Sequence, residues 1–296
     1  MSLKILGRFC LAKIEKAVED FVVDFGRQVY DLIPHDYIAK KQSEFLTFKK
    51  EHIEQNEFIV IADFSENYSF VVQDAAQSWH WSNAQCTIHP FAIYYKSETN
   101  SLIQHQSLVV IAESLKHNFE SVYQFQLILI DYLKTRFGTI KKISSFSDGA
   151  ASQYKNKKNF YSMCQFKKNF GFEVEWHFFA TSHGKGPCDG IGGALKRNAT
   201  RASLQRPYEK QITTAKELFD WANSIGSSIA FHFCTEGEYK KIEWQLRKKF
   251  EHVKTIAGTQ KFHSFCPLDE NSIAARRISF AGDLNDFRSS NIQFNF

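Results

Sequence analysis

The sequence predicts an α/β fold: a mixed β-sheet with helices on its faces, preceded by a helical arm and followed by a small α+β extension. Three observations carry this. Apolar, β-branched runs follow one another between residues 58 and 114, and strand-like runs then alternate with helical periodicity up to residue 207. That order lays down a mixed sheet with flanking helices. Hydrophobic residues make up 43% of the 296 positions, Phe the commonest aromatic, which is enough to fill a sizeable core. Asp63, Asp148 and Asp189 stand at the ends of apolar segments, where a sheet brings side chains together. The expected boundaries are 1–56 for the arm, 57–207 for the core and 208–296 for the extension.

In the arm, Ile14, Val18, Phe21, Val22, Phe25, Val29 and Leu32 recur at helical spacing, and Pro34 is expected to end that helix. IAKKQSEFLTFKKEHIEQ follows as a second helix, the pair reading as a packing hairpin or as an accessory module. FIVIADF (58–64) reads as a buried strand, and SFVVQDAAQ (69–77) as a second strand or an extended loop. TIHPFAIYYKS and HQSLVVIAES read as two more strands, joined by a turn through Asn100 and Ser101. Pro90 puts the first of them at an edge, or starts it at Phe91.

Asn118 as N-cap and Gly138 as stop bracket the first long helix. KKISSFSDG is a strand running into a turn, and NKKNFYSMCQFKKNFG is a helix closed by Gly171. EVEWHFFATS is a strand. HGKGPCDGIGG reads as a glycine-rich turn, and ALKRNATRASLQR as a helix stopped by Pro207. The extension adds a helix, a strand, a charged helix and short strand-like runs, with a frayed tail expected after them.

Composition narrows the function classes. No apolar run reaches the length of a membrane span, and charges break the N-terminal apolar patch too early for a signal peptide. The six cysteines are scattered without a CxxC pair, which argues for reduced thiols in a cytosolic or nuclear protein and against a disulfide framework or zinc finger. A net charge of +5 admits a nucleic-acid partner without demanding one.

Converging carboxylates are what divalent-cation phosphodiester chemistry needs. Magnesium takes hard oxygen ligands and keeps several waters, so two or three acids suffice. Asp63 and Asp148 belong on neighbouring strands, and Asp189 sits where a helix begins. Glu175 and Glu209 are the fallback third acids. Around them lie His183 and Lys185, and two basic rows: Lys155, Lys157 and Lys158 after Asp148, then Lys196, Arg197, Arg201 and Arg206. Each row reads as a phosphate-holding face or as a solvated one. Gly190, Gly192 and Gly193 would let a phosphate approach a helix N-terminus. Trp79, Trp81 and Tyr68 would stack on bases or fill the core. A zinc site from Cys164, His177, His183 and Cys188 has no recognisable spacing.

The three strings DFSENYSF, SDGAASQYKN and HFFATSHGKGPCDGIGG give the layout a family resemblance. It resembles the ribonuclease H-like fold of DDE/D transposases and retroviral integrases, within a group of transposon-derived animal proteins. The middle string is similar to a D-x-x-x-x-Q-x-K-N signature, here Asp148, Gln153, Lys155 and Asn156. The resemblance covers residues 57–206 and, more loosely, the chain to about 280. It implies a five-stranded ribonuclease H-like core with Asp63, Asp148 and Asp189 as catalytic metal ligands for Mg²⁺ or Mn²⁺. It implies DNA contacts from Gln153, Lys155, Asn156, His183, Lys185, Lys196 and Arg197, a nuclear location, and DNA cleavage and strand transfer. A homo-oligomer fits the same picture. The third acid of many relatives is Glu, whereas Asp189 stands here. With no separate DNA-binding domain visible, the chain reads as a fragment or reduced derivative, and a catalytically silent DNA-binding protein is the alternative.

Overall fold

The computed structural model describes residues 2–5, 8–11, 15–71, 84–180, 186–280 and 290–293. The chain divides into two units, Met1–Lys40 and Lys41–Phe296. In the first, β1 (Ser2–Ile5) and β2 (Arg8–Leu11) pair antiparallel, where the sequence suggested helix. One helix, α1 (Val18–Glu51), then replaces the two expected, with Pro34 inside it instead of at its end. Pro34 lacks a backbone N–H, so α1 continues there with one ladder bond fewer. The apolar residues Val18, Phe21, Val22, Phe25, Val29 and Leu32, expected to pack, are exposed.

The second unit is an α/β sheet. Its strands are β3 (Glu57–Ala62), β4 (Tyr68–Ser69), β5 (Gln85–Lys96), β6 (Ile103–Ala112), β7 (Lys142–Ser147), β8 (Glu173–Phe178), β9 (Ile229–Cys234), β10 (Ser264–Pro267), β11 (Ser272–Arg276) and β12 (Ser290–Gln293). Nine run in the order β12-β11-β10-β8-β7-β3-β5-β6-β9, and β4 pairs with β5 beside them. The five expected strands form the centre, β6-β5-β3-β7-β8, where β5 runs antiparallel to β3 and β6 while β3, β7 and β8 run parallel. The sheet is wider than predicted because strands of the extension join both sides of that centre: β9 lies parallel to β6, and β10 antiparallel to β8. The tail expected to fray supplies β12. An unpaired β-strand edge leaves a row of N–H and C=O groups open, and these additions occupy both central edges.

Helices α2 (Phe119–Phe137), α3 (Lys157–Phe170) and α6 (Glu236–Lys249) pack over one face, with Phe58, Val60, Leu133, Phe160 and Phe250 in that core. The other face carries α4 (Pro187–Leu204) and α5 (Ala215–Ser224) in one cluster. Phe45 of α1 joins Ile59, Ile61, Phe146 and Cys188 in another. Alternation along β3 explains the split, Phe58 and Val60 facing one way and Ile59 and Ile61 the other.

The cap signals hold. Asn118 Oδ1 accepts from Ser121 N–H at 3.1 Å, Asn156 Oδ1 from Asn159 N–H at 3.1 Å, and Gly138 and Gly171 end their helices at φ 74° and 83°. The turn through Asn100 and Ser101 is present. Pro90 departs from expectation by lying inside β5, opposite Val109 of β6. The β3 ladder ends at the Ala62–Phe91 pair, so Pro90 lies just past it and no β3 partner requires its missing N–H. Of the predicted strand 69–77, Ser69 lies in β4 and residues 72–77 lie outside the described residues.

Candidate active site

Register brings the first two acids together. β3 and β7 pair in parallel from Glu57–Lys142 to Ile61–Phe146, so two positions further on Asp63 stands opposite Asp148. Adjacent strands lie about 4.8 Å apart. Continuing the alternation past Ile61 and Phe146 turns both acids toward the face that holds Cys188 of α4.

The third acid arrives on a helix that starts earlier than the sequence suggested. Pro187 opens α4, so Asp189 lies in its first turn and Gly190, Gly192 and Gly193 are helical instead of forming a loop. Asp189 Oδ2 accepts from Gly186 N–H at 3.3 Å, and its charge suits the positive end of the helix dipole. Two contacts fix this helix start against the strand ends. The buried Cys188 thiol lies 3.3 Å from the Ile61 carbonyl and 3.5 Å from the Pro90 carbonyl. A β-carbon on Gly192 would fall 2.0 Å from Ser65 Oγ and 3.2 Å from Ser65 Cβ, so glycine favours this close approach to the segment that follows Asp63.

Burial, then the charges of Asp148 and Asp189, push Asp63 up to about 7, against a bond from Phe64 N–H that favours the ionised form. Asp148 is raised by burial, offset by the bond its Oδ1 accepts from Ala150 N–H at 3.1 Å. Burial, then Asp63, holds the Cys188 thiol at about 12, so it is neutral. Sequence reasoning missed two neighbours. The Tyr154 hydroxyl is 2.8 Å from His89 Nε2, both buried, and Tyr154 is raised by burial, Asp63 and Asp148. Burial lowers His89 to about 3, and its Nδ1 has no hydrogen-bond partner among the described residues. A lone His in an apolar strand was the available signal.

Burial first, and the neighbouring acids second, make the charge on Asp63 costly in the fold. In the unfolded chain Asp63 ionises near 3.8; in the fold it ionises near 7. Below both values the group is protonated in either state and costs nothing. Between 3.8 and 7 the penalty grows, and above 7 it is complete. The full shift corresponds to about 4 kcal/mol, which partial exposure reduces to about 1–2 kcal/mol. Asp63→Asn is therefore expected to raise unfolding stability by that amount at about pH 8 in chelator, and by roughly a third as much near pH 5. Urea titrations at the two pH values check it. An equal gain at both would place the effect outside Asp63 ionisation.

The other predicted residues separate. Lys155 is 3% exposed, its ammonium donating to the Gln260 carbonyl at 3.0 Å, and burial lowers it to about 8. Asn156 caps α3 and donates to the Gln153 carbonyl at 3.0 Å. Lys155 and Asn156 thus brace the turn after Asp148 from within, while Gln153 is half-buried. Lys196 donates to the Glu66 carbonyl beside the site, and Arg197 is exposed on α4. His183, Lys185, Trp79 and Trp81 lie outside the described residues. Tyr68 is buried and bonded to Thr200, so it offers no face for stacking. The fallback Glu175 lies mid-strand opposite Ser144, ion-paired to Lys49 (2.9 Å) and Lys142 (2.8 Å), and is not a third acid here. Glu209 lies in a short 3-10 helix, Tyr208–Lys210.

Among the described residues, Asp63, Asp148 and Asp189 included, no group of three or more His, Cys, Asp or Glu side chains is placed so that it could hold a metal ion. The zinc alternative has no support there. The three aspartates have the oxygen chemistry a hard divalent ion takes, and the charges that bear on Asp63 are both negative. Magnesium, bound through one or two carboxylates with its remaining positions on water and substrate, does not require a closed cage.

The chain belongs to a family described as a domain of unknown function (DUF8701), whose model matches residues 42–279. The two ends of that match close on each other. Gln42 Nε2 donates to Ser279 Oγ, and Ser279 N–H donates to Gln42 Oε1, both at 2.9 Å. No curated protein and no solved structure matches the chain.

Proposed function

We propose that this protein is a DNA-processing phosphotransferase of the ribonuclease H-like type, cleaving phosphodiester bonds and transferring strands at Asp63, Asp148 and Asp189. The observation that carries this is the parallel register of β3 and β7, which sets Asp63 opposite Asp148 where the strand pair ends, with Asp189 in the first turn of α4. The charges of Asp148 and Asp189 both bear on Asp63, which is raised first by burial. The strand order β6-β5-β3-β7-β8, with β5 reversed, fits the same assignment.

A magnesium or manganese ion bound there would polarise the scissile phosphate and activate a water or a DNA 3′-hydroxyl. Asp63 and Asp148 would hold it from the strands, and Asp189 from the helix. Binding would displace the proton that Asp63 retains near neutrality, so cation affinity should rise with pH through about 7. Arg197 and Lys196 on α4 offer positive charge toward DNA.

One observation favours a second reading, a catalytically silent DNA-binding descendant: as placed, the three acids do not form a group that could hold a metal ion. Supercoiled plasmid incubated with the purified chain separates the two. Nicking that requires Mg²⁺ or Mn²⁺ and stops in chelator supports the enzyme, and retention of plasmid without nicking in either metal supports the silent form.

A further inference from the structure

A groove of about 1090 Å³ opens between the start of α2, the start of α3 and the length of α6, apart from the three acids. Its most exposed large side chain is Trp244, 75% exposed in the middle of α6. The inward residues of that helix are Tyr239 and Leu246, so the indole points away from the core. Lys240, Arg247 and Lys248, at i−4, i+3 and i+4, share its face, and Lys157 lines the groove from α3.

Charge in the groove is unbalanced. Among its acids, Glu120 is ion-paired to Lys158, which leaves Glu243, accepting from the Tyr239 hydroxyl at 2.9 Å, and Glu251 against Lys157, Lys240, Arg247 and Lys248. Lys157, Arg247 and Lys248 form no ion pair among the described residues, and Lys240 reaches Glu236 only at 3.8 Å. An exposed indole set among an excess of cations asks for a ligand with both a flat π-face and regularly placed negative charge.

We propose that this groove binds a single-stranded nucleic-acid segment, a base stacking on Trp244 and phosphates lying against Lys157, Lys240, Arg247 and Lys248. A duplex keeps its base faces stacked inside and would leave the indole uncovered. An acidic peptide matches the charge but brings no obligatory aromatic plane. A membrane surface needs several apolar side chains to insert, and α6 exposes one large one. Stacking on aromatic side chains combined with a basic track is how sequence-tolerant single-strand binding is built. The groove does not depend on the carboxylates, and a chain that cleaves nothing would still carry it.

The test is fluorescence anisotropy of the full chain with a labelled oligothymidine of about 12 nucleotides, its duplex, and a polyglutamate peptide of similar length. The single strand is expected to bind tightest and to lose about 50-fold in affinity between roughly 50 and 200 mM salt. Trp244→Ala is expected to weaken it about 10-fold, and Arg247→Glu with Lys248→Glu at least as much, with circular dichroism unchanged. Lys216→Ala, a cation on α5 outside the groove, should leave it within about two-fold. Single-strand affinity unmoved by Trp244→Ala, duplex affinity that falls as far with Trp244→Ala as the single strand's, or equal or tighter binding of polyglutamate would each overturn the proposal.

Discussion

Asp148→Asn is expected to abolish metal-dependent nicking, lowering its rate by at least about 100-fold. Loss of an outer partner of a metal ligand typically costs about 10–100-fold, and loss of a ligand should exceed that. The substitution isolates the chemistry because it preserves the local fold. The Asn side chain retains the oxygen that accepts from Ala150 N–H, so the turn after β7 keeps its bond. Removing the charge also relieves Asp63, so the variant should be no less stable than the parent in chelator. A purified Asp148→Asn protein that unfolds at the parental denaturant concentration and still nicks at the parental rate would remove Asp148 from the chemistry.

Two glycines of α4 are expected to respond to alanine with opposite signs. Gly190 has open space where a β-carbon would stand, so Gly190→Ala should gain about 0.5–1 kcal/mol from helix propensity. A β-carbon on Gly192 would lie 2.0 Å from Ser65 Oγ and 3.2 Å from Ser65 Cβ, with Pro90 Cγ at 3.5 Å. The Ser65 hydroxyl can rotate aside, but its Cβ moves only with the backbone. Overpacking of this kind costs about 1–3 kcal/mol, and the propensity gain offsets about 1 kcal/mol of it. Gly192→Ala should therefore lose up to about 2 kcal/mol in denaturant titration. It should also push the start of α4 away from β3, lowering nicking with Asp189 intact. Ser65→Gly in the same chain should restore both. Gly192→Ala as stable as Gly190→Ala would show that α4 does not rest on Ser65.

The central strands and caps were legible because local chemistry decides them. FIVIA has the length and β-branching of a buried strand, and Asn118, Asn156, Gly138 and Gly171 act within a turn of their own positions. Asp63 and Asp148 were legible for the same reason, each ending such a strand. The start of α4 was not. Its glycines read as a loop, and helix is favoured there by Pro187 in the first turn and by long-range contacts of Cys188 and Gly192 with β3, β5 and Ser65. Lys155 misled for a related reason. A lysine beside a signature Gln and Asn reads as a phosphate contact, yet its stem packs inward and its ammonium finds the Gln260 carbonyl, far away in sequence. The sheet's full width was hidden because pairing partners such as β9 with β6 are distant along the chain.

Asp63, Asp148 and Asp189 are proposed to form one divalent-cation site. Calorimetric titration of Mn²⁺ into the purified chain and into Asp63→Asn, Asp148→Asn and Asp189→Asn tests it most directly. The account predicts saturable binding to the parent, weakened at least about 10-fold by each substitution, with proton release on binding near pH 7 that is absent in Asp63→Asn. Binding to the parent left unchanged by all three substitutions, or no binding to the parent at all, would contradict it.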